Sequence, residues 1–184
     1  MDTWVWILIG IGAAVVVLAI VWSLMRARRT KELREGFGPE YDRVAADAPT
    51  KREAEAELRA RRERHEQFDI KELAPERRDL YQLRWREVQA SFVDEPDKAI
   101  ARADSLIQEV MRERGYPVDD FDTRAADLSV DHPDVVENYR AAHGIRRAHE
   151  RDKASTEDLR KAMQHYRALF SDLVESRRPE EVRS

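Results

Sequence analysis

The run from Val130 to His143, VDHPDVVENYRAAH, is the densest mixture of chemically capable side chains in the chain. It holds Asp131, His132, Glu137, Asn138, Arg140 and His143, and His165, Tyr166 and Arg167 follow on a later helical segment. Two histidines and several carboxylates could serve acid–base work or ligate a metal. The spacing speaks against both. A di-iron carboxylate bundle needs Glu-x-x-His pairs on facing helices, and none of the five histidines has a glutamate three residues before it. HExxH, P-loop and Rossmann glycine patterns are absent as well. Ser129 stands close to Asp131 and His132, but a serine nucleophile needs a base and an orienting acid arranged in space. Ser129 and Asp131 are also the residue types that cap helices. No catalytic, cofactor-binding or metal-ligating residue is therefore assigned. Asp131, His132, Glu137, Asn138, Arg140, His143, His165 and Arg167 remain as one candidate polar face for a ligand or partner. The competing reading, which carries more weight, is a helix cap plus a hydrated face whose arginine–carboxylate pairs tie helices together.

The elements that must position these residues start with residues 4–25, WVWILIGIGAAVVVLAIVWSLM, which contain neither charge nor proline. About 20 apolar residues at 1.5 Å per residue span a bilayer core of roughly 30 Å. The sequence thus predicts a transmembrane anchor over residues 1–25. A cleaved leader would need a basic start and a shorter apolar run, and Met1, Asp2 and Thr3 supply no basic side chain. Arg26, Arg28, Arg29 and Lys31 flank only the C-terminal side. Positive flanks stay in the cytoplasm, so the N-terminus is expected outside and the rest of the chain inside. The lipid bilayer is one expected partner, through residues 4–25.

Behind the anchor, residues 26–67 read as a basic juxtamembrane segment and a charged helical spacer. Gly38-Pro39 opens a short amphipathic helix showing Tyr41 and Val44. Thr50-Lys51-Arg52-Glu53 reads as a capping box. The run from Lys51 to Gln67 is almost all charge and alanine, with Leu58 its one large apolar residue and Phe68 just beyond. Such a helix has no core face of its own; it reads as a spacer first, with a weak coiled-coil strand or a partly disordered linker as alternatives, and Arg61 is expected in solvent, where truncation costs less than about 0.5 kcal/mol.

Residues 68–176 read as a compact bundle of four main helices and a short one. Pro75 opens the first, with Tyr81, Trp85, Val88 and Phe92 on one face of a 3.6-residue period. Ile100, Ala103, Leu106, Ile107, Val110 and Met111 stripe the second, and Gly115 stops it. Asp120 caps a short helix over Phe121 to Leu128. Asp131 is the expected N-cap of the next helix, with Pro133 in its first turn. Ser155 and Asp158 start the last, striped by Leu159, Met163, Tyr166, Leu169, Phe170 and Leu173. The polar residues 177–184 are expected to be a disordered tail. The fold class is all-α, since no period-2 apolar alternation bounded by turn residues occurs.

Several segments taken together carry a resemblance. They are Phe37-Gly38-Pro39-Glu40-Tyr41-Asp42, the stretch from Trp85 to Asp94, Arg114-Gly115-Tyr116-Pro117, Leu128 to Pro133, Ser155 to Arg160, and His165-Tyr166-Arg167. As a set, covering most of residues 33–174, the chain resembles a group of uncharacterised bacterial single-pass membrane proteins with a cytoplasmic helical domain. That resemblance implies no activity and no site residues.

Composition narrows the function classes. Charged residues are 38% of the chain, yet the formal net charge is only −4. Interleaved charge of this kind marks solvated helix faces. Nucleic-acid binding leaves a basic footprint, and none is present beyond the juxtamembrane cluster, so no nucleic-acid partner is expected. With no cysteine, thiolate catalysis and zinc-thiolate sites are excluded. The leading expectation is a membrane-tethered helical adaptor or scaffold working through a protein partner, with homo-oligomerisation open. A ligand-binding sensor using the face at 131–143 is the first alternative, and an enzyme of unrecognised type the second.

Overall fold

The structure is a computed structural model that describes residues 3–151 and 153–175, and the side chains of these apart from 3, 5–11 and 13–15. The described residues form eight α-helices and no strand. They are α1 Thr3–Phe37, α2 Pro39–Asp47, α3 Lys51–His65, α4 Pro75–Ser91, α5 Pro96–Arg114, α6 Phe121–Asp131, α7 Val136–His149 and α8 Thr156–Glu175. Part of the expected membrane span, the side chains of 5–11 and 13–15, lies outside the described residues. Among the described residues, no helix is long and apolar enough to cross a membrane. The polar tail predicted at 177–184 also lies outside them. The backbone of the apolar run and the basic segment behind it form one continuous helix.

Local signals place most helix ends. Thr50 Oγ1 accepts the Glu53 amide at 3.2 Å, and Asp120 Oδ1 accepts that of Thr123 at 3.1 Å. At α8 the capping box is reciprocal. The Asp158 amide donates to Ser155 Oγ at 3.2 Å and the Ser155 amide to Asp158 Oδ2 at 3.0 Å. Gly115 ends α5 with φ +96°, a left-handed conformation that suits glycine. A Cβ there would run into the Asp69 carbonyl oxygen. The connector at 69–71 lies directly over this turn, the Lys71 amide donating to the Arg114 carbonyl at 2.7 Å.

α8 lies centrally, packed against α4, α5 and α7. Its stripe joins Ile100, Leu106, Ile107, Met111, Tyr139 and Leu128 in one core. Trp85 and Phe170 stack inside it with ring centroids 4.5 Å apart and planes at 15°, as their places on the two stripes suggest.

A second core joins Leu33 and Phe37 of α1, Tyr41 and Val44 of α2, and Ala54 and Leu58 of α3. This corrects the expectation that α3 is a solvated spacer. α3 buries Ala54, Glu55, Leu58 and Arg61. It lacks a broad apolar stripe because alanine lets α1 and α2 approach closely, while its buried charged groups meet partners on other helices. α3 also packs on α6 of the main bundle, as α1 does, so α1–α3 are docked to it.

A second correction concerns residues 129–136. Asp131 does not cap the next helix; it is the last residue of α6, and α7 begins at Val136 with Val135 as its N-cap. The His132 amide closes α6 onto the Leu128 carbonyl at 2.8 Å. Pro133 has no amide to continue that ladder, so the chain turns there. The Asp131 carboxylate is engaged by other groups. Ser129 is not a cap either: it is buried within α6 and its hydroxyl donates back to the Ala126 carbonyl at 2.6 Å.

Candidate functional site

Two buried polar clusters lie where α1–α3 meet the bundle. The first is centred on Glu40, in the first turn of α2, whose side chain is 1% exposed. Arg43, one turn later, donates through Nε to Oε2 at 2.9 Å and Nη2 to Oε1 at 2.8 Å. Arg140 of α7 donates through Nη1 to Oε2 at 2.6 Å and Nη2 to Oε1 at 2.9 Å. Arg61 of α3 adds Nη1 to Oε1 at 2.6 Å and reaches Ser129 Oγ at 3.3 Å. One carboxylate thus holds three guanidinium groups from three helices. Burial alone would push the Glu40 carboxyl up. The bonds from Arg43, Arg140 and Arg61 outweigh it and hold the group at about 2. Charge-assisted bonds of this kind are roughly twice as strong as neutral ones.

The second cluster is a chain of five groups. His65 Nε2 of α3 lies 2.7 Å from Asp131 Oδ2. The Tyr116 hydroxyl donates to the same oxygen at 2.6 Å and lies 3.1 Å from His132 Nε2. His132 Nδ1 in turn bonds the Asp172 carboxylate of α8. Burial, then the charge of Asp131, raises the Tyr116 hydroxyl far above its usual value. Burial also works to raise the Asp131 carboxyl, but bonds from His65 and Tyr116 leave it lowered. The arrangement resembles a proton relay in its order of groups. Each member is occupied by the next, however, and it presents no nucleophile to a cleft.

The candidate face at 131–143 is therefore not one surface. Asp131 and His132 belong to the five-group chain. Arg140 belongs to the Glu40 cluster, with the exposed Glu137 at 3.5 Å from it. Asn138 pairs with His165, Oδ1 to Nδ1 at 2.7 Å, across α7 and α8. His143 stacks on Phe121 at 3.6 Å, and burial lowers its pKa with help from Arg146. Arg167 lines a groove between α4 and α8, with Gln82, Trp85 and Arg86. The physical reason is the turn at Pro133, which separates Asp131 and His132 from the α7 residues. Sequence reasoning missed Glu40, Arg61, His65, Tyr116 and Asp172. Apart from the local pairs Glu40–Arg43 and Glu57–Arg61, their partners are distant in sequence, which left residue type as the signal.

Neither His132 nor Tyr139 lines any of four clefts found on the described surface. One of 470 Å³ lies between α4 and α5, lined by Arg84, Glu87, Val88 and Ser91 on one side and Arg102 and Glu109 on the other. Leu80 and Leu83, 39% and 48% exposed, lie on the same side of α4 as Arg84 and Glu87. Another of 480 Å³ lies between α1 and α3. Among the described residues, no group of three or more potential metal ligands converges. Comparison with protein-family models, curated proteins and solved structures gives no match.

Proposed function

We propose that this chain is a membrane-tethered helical adaptor, anchored through residues 4–25 with the N-terminus outside and the helical body on the cytoplasmic side. The tether rests on the uncharged apolar run and its one-sided flank of Arg26, Arg28, Arg29 and Lys31. Partner binding rests on one observation above others. Leu80 and Leu83 stand in solvent on α4 beside a groove of mixed charge, while Tyr81, Trp85 and Val88 of the same helix are buried. Adjacent exposed leucines rimmed by charged side chains fit a protein-docking surface. The polar clusters are fully engaged within the chain, which favours rigid presentation of that surface over catalysis.

The test is site-specific photocrosslinking of the full chain in its native membrane, with the reactive residue placed at Leu83 and, as a control, at Arg160. The expected result is one recurrent crosslinked protein at Leu83 and none at Arg160. A crosslink to a second copy would identify the partner as the chain itself. Equal, scattered products at the two positions would overturn the docking reading. The tether is tested separately: a C-terminal reporter active only outside the cytoplasm must stay silent.

A further inference from the structure

The 480 Å³ cleft between α1 and α3 is lined by Trp22, Met25, Arg26, Arg29, Arg52, Glu55 and Arg59. Four guanidinium groups face one carboxylate. That carboxylate is already engaged: Glu55 Oε1 accepts from the Thr30 hydroxyl at 2.8 Å and the Tyr41 hydroxyl at 3.2 Å. Its other oxygen is 3.9 Å from Arg59. Among the described residues, Arg26, Arg29 and Arg52 have no carboxylate partner; Arg26 lies over the Trp22 ring at 5.6 Å. Three arginines without a carboxylate partner thus line one concave place.

The register of the two helices fixes where the cleft lies. Thr30 meets Glu55, and Phe37 meets Arg62, both at an offset of 25 residues. α3 therefore runs parallel to α1, and Arg52 sits level with the α1 turn that carries Arg26 and Arg29. Trp22 and Met25, at the end of the apolar run, form the adjoining apolar wall. The cleft joins an apolar wall on the side of the anchor to a cationic floor on the side of the bundle, at the level where headgroups lie if residues 4–25 span the bilayer.

We propose that this cleft binds one anionic phospholipid, its phosphodiester held by Arg26, Arg29, Arg52 and Arg59 and its acyl chain running along Trp22 and Met25. Guanidinium forks match phosphate oxygens, and basic pockets at the cytoplasmic membrane face hold such headgroups. The inference rests on the tether reading, so its test separates the two. Full-length protein and an Arg52→Gln/Arg59→Gln variant are first floated with phosphatidylcholine vesicles. Both arginines are exposed on α3 and lie outside the span, so both proteins should float. Failure of both to float would refute the tether, and the cleft is then judged by the second step alone. In that step, native mass spectrometry of each protein in detergent measures bound phosphatidylglycerol, phosphatidylcholine and inorganic phosphate. The wild type should retain one phosphatidylglycerol in preference to phosphatidylcholine. The variant should bind it roughly thirtyfold more weakly, about fivefold per arginine. Equal retention by wild type and variant would overturn the proposal, as would inorganic phosphate binding as tightly as the lipid.

Discussion

Glu40→Gln removes one negative charge from beneath three arginines without changing the side chain's size. In the wild type, the carboxyl is held at about 2 against its ordinary 4.5. A difference of 2.5 pKa units, at about 1.4 kcal/mol each, is about 3 kcal/mol of stability. The sign follows from which state takes up the proton first. Above pH 4.5 the carboxyl is ionised folded and unfolded, and the full contribution is present. As pH falls below 4.5 the unfolded chain protonates first, and the contribution shrinks until it is gone near pH 2. Geometry leads to a similar size. The substitution leaves Arg61, 8% exposed, with the half-exposed Glu57 as its remaining carboxylate partner, and stripping one partner from a buried ion pair typically costs about 3–5 kcal/mol. A protein of this kind has only about 5–15 kcal/mol in total. Pulse proteolysis in urea, on the full chain in detergent at pH 7, should show Glu40→Gln destabilised by about 3 kcal/mol. The gap from wild type should close as pH drops from 4.5 towards 2. Arg61→Ala should also cost well over 0.5 kcal/mol, in contrast to what its charged surroundings in sequence suggest. Glu40→Gln and wild type sharing one midpoint at pH 7 would refute the reasoning.

Trp85→Ala should cost about 3–5 kcal/mol in the same assay, since it empties the place beneath the Phe170 ring; an unchanged midpoint would mean that the stack contributes nothing. Gly115→Ala combines a left-handed φ with a Cβ driven into the Asp69 carbonyl, so it should destabilise by more than about 1 kcal/mol, the cost of the backbone conformation alone. Gly144→Ala, where a Cβ meets open space, should instead be neutral or stabilising.

What the sequence by itself determined is local. The helices α4 to α8, the caps at Thr50, Asp120 and Ser155, the stop at Gly115 and the inward faces of Trp85 and Phe170 all depend on neighbours three or four residues away. Those neighbours are visible in a linear chain. The Pro133 region misled because Asp131 has the right residue type for a cap, and only the fold shows its carboxylate taken by His65 and Tyr116. The polar clusters were illegible for the same reason. Arg61 finds Glu40 at 21 residues' distance, Arg140 finds it at 100, and His65 finds Asp131 at 66. A charged side chain has the same local pattern whether it faces water or a buried partner. Tertiary structure alone decides which, because burying it becomes favourable only when a distant carboxylate arrives to replace its lost hydration.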